Sequence, residues 1–340
     1  MYAKFALLLA ALLASAAGFA GPEHPPGVAM IEVNHAGRNA ASAIWYEAAG
    51  DAAAQTQSIR LPLRPIPLAR NAAPAPNHGR RALIVLSHGN WGGPYSQAWL
   101  AARLVAAGFV VLSTSHPGTT GDDQSAAGRW RLWDRSSDVT AALTRLLEHP
   151  EWSVLVDPQR IGFAGHSFGG WTGVSLAGGR YDPLRQRAAC ETMAKKDLYC
   201  DSTLKDDLQG VEIADASASY ADPRIKAFYL MAAGPAAGFS DASLQAIRAP
   251  FVVDTADFDE VLDARHHSSP LARRIHQARE IVRSAGHFAY VPLCRPFVGA
   301  IAARAAGLPI CDDAPGVDRA TVHRQVAADV VAFFDAVLRP

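Results

Sequence analysis

The stretch Arg160-Ile161-Gly162-Phe163-Ala164-Gly165-His166-Ser167-Phe168-Gly169-Gly170 decides how this chain is read. Arg160 to Ala164 is a short β-favouring run, and the chain then turns through Gly165-His166-Ser167-Phe168-Gly169 into a helical pattern that starts at Phe168. A Gly-x-Ser-x-Gly turn between a strand and a helix holds its serine at a strained corner, where the glycines admit neighbouring backbone without a Cβ clash. Ser167 is therefore the candidate nucleophile. It projects at the carboxyl end of a sheet, and the free N–H groups of the following helix add positive potential there.

Working outward, Ala82 to Leu86 is a continuous apolar run, followed by a Gly-rich turn, a helical pattern over Ser96 to Ala107 and a second run over Phe109 to Leu112. The rhythm continues with a helix over Ser137 to Leu147 and strands at Ile225 to Met231, Phe251 to Val253 and Glu280 to Val282. Short apolar strands alternating with helices predict an α/β fold, a mainly parallel, doubly wound sheet with helices on both faces. Upstream, Met30 to Val33 and Ala43 to Tyr46 read as short strands, then a Pro-rich connection runs to Arg80. Tyr181 to Pro223 is polar and reads as an insertion after the nucleophile helix, over one edge of the sheet. Asp318 to Leu338 reads as a helix whose Val322, Val326, Val330, Phe333 and Val337 face the core.

The chain has 340 residues, with 32 Lys+Arg against 32 Asp+Glu, so no net charge is left to attract nucleic acid or an anionic membrane. Hydrophobic residues make up 49% and charged residues 19%, enough for a large core. Met1 to Lys4, the apolar run Phe5 to Leu13 and the small residues Ala14 to Ala20 read as a secretory signal peptide, too short in its apolar part to anchor in a membrane. Residues 21–340 then form a single soluble domain, secreted or periplasmic. An oxidising compartment allows the local pairs Cys190 with Cys200 and Cys294 with Cys311 to form disulfides, although four cysteines permit three connectivities and free buried thiols are the alternative. No Cys-x-x-Cys spacing marks a zinc site, and Asp122-Asp123 in a Gly-rich loop reads as solvated, so no metal is assigned.

A serine hydroxyl needs a base, and an elbow of this kind takes its partners in the chain order nucleophile, acid, histidine. His287 follows the last strand through Arg283-Ser284-Ala285-Gly286 and is the candidate base, with His266 and His267 behind it. The acid belongs in the loop after Phe251 to Val253, where Asp254, Asp257, Asp259 and Asp263 compete. Asp259 is chosen, at the turn out of the strand, with Asp257 in reserve. An oxyanion hole needs two N–H donors. Phe168 supplies one, and the turn Ser87-His88-Gly89-Asn90-Trp91-Gly92-Gly93 supplies the other, most simply from Asn90. Trp91, Tyr95, Trp171 and Phe288 are candidate substrate contacts, together with Phe168 and Tyr290 near the mouth and Trp130 and Trp133 in the loop from His116. Core packing is the competing reading of these aromatics.

At Ser87-His88-Gly89, Gly92-Gly93, Asp157 to Gly162 leading into Gly165 to Gly170, Asp222-Pro223-Arg224-Ile225 and Gly286-His287-Phe288, the chain resembles the α/β-hydrolase superfamily. More narrowly it is similar to dienelactone-hydrolase-related and platelet-activating-factor-acetylhydrolase-like esterases, over roughly Arg81 to Tyr290. The resemblance implies a Ser-His-Asp esterase working through an acyl-enzyme; the expected substrate is a small-molecule carboxylic ester, short-chain, lipid-like or aromatic, and no cofactor is assigned. Two departures stand out. Dienelactone hydrolases proper use a cysteine where Ser167 stands, and the acetylhydrolases take their acid after an earlier strand, whereas Met231 to Phe239 holds no carboxylate. An amidase or acyltransferase with the same acyl-enzyme is the nearer rival, and a non-catalytic ligand scaffold the more distant one. No oligomeric state is assigned.

Overall fold

The computed structural model describes residues 24–50, 52–57, 62–76, 79–193, 197–206, 212–297, 301 and 309–339. The leader expected over residues 1–20 lies outside them. Among the described residues the strands are β1 (Gly27–Ile31), β2 (Asn34–His35), β3 (Arg38–Asn39), β4 (Ser42–Tyr46), β5 (Gln55–Gln57), β6 (Ile66–Arg70), β7 (Arg81–Ser87), β8 (Val110–Thr114), β9 (Val156–His166), β10 (Ile225–Met231), β11 (Phe251–Ala256) and β12 (Arg279–Arg283). One ten-stranded sheet has the order β12-β11-β10-β9-β7-β8-β4-β1-β6-β5, and β2 and β3 form a separate hairpin. The run from β8 through β7, β9, β10 and β11 to β12 is parallel throughout. β4 joins β8, and β1 joins β4, in antiparallel register.

The parallel part follows from the apolar text. In β7, Leu83 and Val85 enter one core layer while Ile84 and Leu86 enter the other, because side chains alternate across a strand. Helices Trp133–Leu147 and Phe168–Leu176 cover the first face, and helices Ala98–Ala106 and Arg319–Val337 cover the second. The fold is α/β, with a mostly parallel sheet and helices on both sides, as the sequence predicted.

Three local expectations change. The first strand is Gly27–Ile31 rather than Met30 to Val33, and the Pro-rich connection contains β5 and β6. Pro67 sits in β6 near the sheet edge, where β6 has only a two-residue register with β1, so the missing N–H costs little ladder. The C-terminal helix is capped by Asp318, whose carboxylate accepts from Thr321 N–H at 3.1 Å. Its buried stripe ends on Phe334 and Leu338 instead of Phe333 and Val337, because Val322, Val326, Val330 and Phe334 keep a spacing of four.

Among its described residues the insertion forms two helices, Pro183–Thr192 and Leu198–Thr203. It covers the carboxyl ends of the strands beside Ser167 rather than an edge of the sheet, with the Tyr199 ring 6.0 Å from Phe168. Its polar composition hid a buried set of Gln186, Cys190, Tyr199 and Cys200.

Candidate active site

Ser167 stands between β9 and the helix Phe168–Leu176 with φ 57° and ψ −119°. That conformation costs a non-glycine residue roughly 1–3 kcal/mol, so its surroundings must impose it. They do so through close backbone packing: a Cβ on Gly169 would lie 1.9 Å from the Ser87 carbonyl oxygen, and one on Gly165 would lie 2.2 Å from the Gly169 carbonyl oxygen. Ser167 N–H is held by the Met231 carbonyl at 3.0 Å.

The serine hydroxyl donates to His287 Nε2 at 2.9 Å, and His287 Nδ1–H donates to the Asp259 carboxylate at 2.8 Å. The second Asp259 oxygen accepts from Val261 and Leu262 N–H at 2.9 and 2.6 Å, which locks the carboxylate orientation. The competing residues are engaged elsewhere. Asp254 is fully buried under Tyr229, Tyr290 and Arg283, and Asp257 accepts from Ala285 N–H at 3.4 Å. Asp263 is held down at about 2 by its hydrogen bonds and charge pairing with Arg265. His267 Nε2 donates to Asp197 at 2.8 Å.

Burial disfavours the His287 imidazolium, yet the Asp259 charge and hydrogen bond, helped by Glu260, outweigh it and keep the pKa above the ordinary imidazole value. Glu260 has no counterpart in the sequence reading. Its Oε2 accepts from His287 N–H at 3.0 Å, and burial raises its pKa. His166 Nε2–H donates to the His287 carbonyl at 3.0 Å; burial and the neighbouring His287 push the His166 pKa well down, so its ring is neutral.

The turn after β7 lies on the serine, since a Cβ on Gly89 would be 2.9 Å from Ser167 Cβ. Among the described residues, neither Asn90 N–H nor Phe168 N–H is spent on a backbone carbonyl, and both residues line a cavity of about 250 Å³ that also takes in Ser167 and His287. Trp91 and Phe288 line that cavity as well. Tyr95 and Trp171 do not. Trp171 is fully buried, edge-on to Tyr181 with centroids 5.1 Å apart, because its position in the nucleophile helix faces the core. Tyr95 packs edge-on to Trp45 at 5.7 Å. Trp130, Trp133 and Tyr290 are likewise core, and Arg129 lines the cavity in place of the two tryptophans, hydrogen-bonded to Asp206.

The remaining walls come from residues the sequence reading did not name as substrate contacts: Leu63 of the Pro-rich connection, Leu198, Tyr199 and Thr203 of the insertion, Val261 and Leu262 beside Asp259, and Pro309 with Ile310. The cysteines were the available signal, for the disulfides Cys190–Cys200 and Cys294–Cys311 both form and tether two of these walls. Donor atoms of Asp197, Cys200 and His267 lie within 4.8 Å of one another, but the Cys200 sulfur is spent in its disulfide.

No family model and no curated protein matches the chain. Among solved structures it is similar to a ferulic acid esterase from Streptomyces cinnamoneus, with a TM-score of 0.61 and 17% identity over 94% of this chain and 93% of that one. The shared feature at that identity is the fold. Among the described residues, no helix is long and apolar enough to cross a membrane.

Proposed function

We propose that the protein is an exported serine hydrolase of the α/β-hydrolase superfamily that cleaves carboxylic esters. The observation that carries this reading is the unbroken hydrogen-bond chain Asp259–His287–Ser167, set beside the N–H groups of Phe168 and Asn90 in one cavity. Ser167 Oγ attacks the ester carbonyl while His287 Nε2 takes its proton, and Asp259 holds the ring and balances the imidazolium. The developing oxyanion takes hydrogen bonds from the two N–H groups. His287 then protonates the leaving alkoxide, leaving the acyl group on Ser167, and a water activated by the same imidazole releases the acid.

The walls are mainly apolar, with Leu63, Leu198, Val261, Leu262, Phe288 and Ile310 among them, which favours a compact apolar or aromatic acyl group. The likeness to a ferulic acid esterase makes a hydroxycinnamate ester the first aromatic substrate to try. Two disulfides and the leader-like first twenty residues support export.

The test is hydrolysis of p-nitrophenyl esters from acetate to palmitate, plus methyl ferulate, by the wild type beside Ser167→Ala. Turnover is expected in the wild type, with loss of at least about 10³-fold in the variant. A folded wild type that hydrolyses none of these esters and takes no label from a fluorophosphonate probe would overturn the reading in favour of a non-catalytic scaffold.

A further inference from the structure

Arg135 lies in the first turn of the helix Trp133–Leu147, 1% exposed, beneath the candidate site. A buried guanidinium with no carboxylate directly on it is costly unless its donors are satisfied. Here each of its three nitrogens has an acceptor, and the partners belong to three different segments. Nη2 donates to the His88 carbonyl at the start of the Gly89-Asn90 turn and lies 3.4 Å from Ser87 Oγ. Nη1 donates to Thr119 Oγ1 at 2.5 Å, and the Thr119 carbonyl accepts Trp91 N–H at 3.0 Å, fixing the far end of the same turn where Trp91 has φ 64°. Nε donates to Thr172 Oγ1 at 3.1 Å, which donates to the Phe168 carbonyl at 2.9 Å, and the guanidinium carbon lies 6.0 Å from the Phe168 ring centroid.

A second polar chain supports the same corner. Ser87 Oγ is 2.8 Å from His116 Nε2, His116 Nδ1 is 3.1 Å from Asp138, and Asp138 is held by Arg38 and His35. This buried Ser-His-Asp set has the connectivity of the candidate site, but Ser87 has no exposure, so its order serves packing rather than chemistry. Asp138, three residues from Arg135, also supplies the nearby negative charge.

We propose that Arg135 is a positioning residue that sets the separation of the two oxyanion donors, tying Asn90 through His88 and Thr119 and tying Phe168 through Thr172. The inference rests on the esterase reading. It follows from geometry: a single planar, rigid fork joins both halves of the hole from three separate nitrogens, whereas a lysine has all its N–H donors on one nitrogen and cannot reach acceptors so far apart. A donor displaced by about 1 Å costs on the order of 10²-fold in rate, because it no longer meets the charge where that charge develops.

The experiment compares wild type, Arg135→Lys and Thr172→Val. Thr172→Val is nearly isosteric and takes the acceptor from Arg135 Nε together with the link to the Phe168 side, leaving the bonds to His88 and Thr119, so it serves where Arg135→Lys fails to fold. Each protein is titrated with a fluorophosphonate to count competent sites, then assayed on p-nitrophenyl butyrate and with a trifluoromethyl ketone that mimics the tetrahedral adduct. The expected result is a fall of about tenfold to a hundredfold in kcat per titrated site, little change in KM, and ketone affinity weakened by the same factor as kcat/KM. Wild-type kcat per titrated site in the folded variants, or a loss confined to KM or to the number of folded molecules, overturns the proposal. A wild type whose turnover does not depend on Ser167 fails the esterase reading itself, which separates the two failures.

Discussion

Asp259→Asn is the most discriminating perturbation of the candidate site. One Asp259 oxygen accepts the N–H groups of Val261 and Leu262, and the other faces His287 Nδ1. An asparagine keeps its carbonyl on those two backbone donors, so its NH₂ must face the imidazole. Nδ1 then becomes an acceptor, the ring carries its proton on Nε2, and that proton points at Ser167 Oγ. The base is blocked with the fold intact. The loss expected for such a tautomer switch is about 10⁴-fold in kcat, or about 5 kcal/mol at 1.36 kcal/mol per decade.

The same substitution moves the pH profile. Activity requires neutral His287 and so falls as pH drops through its pKa, which in the wild type lies above the ordinary imidazole value. Without the Asp259 charge, burial is less opposed and the pKa falls, so the residual activity persists to lower pH. The assay is kcat/KM for p-nitrophenyl butyrate over a range of about pH 5 to 10, with circular dichroism as the folding control. A variant retaining more than about a tenth of wild-type kcat, or an acid limb shifted upward, would refute the assigned roles.

Other substitutions separate structure from chemistry. Asp254→Ala leaves Arg283 with only Asp329 and Gln325 and strips Tyr229 and Tyr290 of their acceptor; it is expected to cost about 3 kcal/mol in denaturant unfolding, with kcat per folded molecule preserved. Gly169→Ala drives a Cβ into the Ser87 carbonyl and is expected to cost more than about 4 kcal/mol, read as loss of soluble protein or of cooperative unfolding, where an unchanged Tm would contradict the elbow packing. Replacing Cys294 and Cys311 by serine opens a loop with a sequence separation of 17, a loss of about 3 kcal/mol, and releases the wall carrying Pro309 and Ile310. KM should rise for larger acyl groups while kcat on acetate holds, and an unaltered ester preference would show that this wall does not shape the cavity.

The apolar runs at β7, β9, β10 and β11 and the elbow at Ser167 were legible because each is a local pattern: a strand buried on both faces needs continuous apolar text, and a strained corner needs Gly165 and Gly169 where backbone presses in. The candidate base His287 was singled out by chain order, at the end of the last strand, and it lies within hydrogen-bond reach of Ser167 and Asp259. The cysteine pairs were legible as neighbours in sequence, and they close as paired.

Other features depended on which faces meet in space. Trp171 and Tyr95 look like pocket residues by proximity to the elbow and the turn, yet helix rotation and the Trp45 contact send them elsewhere. Tyr199, Ile310 and Leu63 enter one cavity from positions far apart in the chain, and no local pattern encodes such a meeting. Among four aspartates within ten residues of one loop, only the path of that loop decided which carboxylate reaches Nδ1, because their side-chain chemistry is identical. Arg135 reads in sequence as one more helix charge; its role at the site comes from being enclosed by three segments whose polar atoms have no water to turn to.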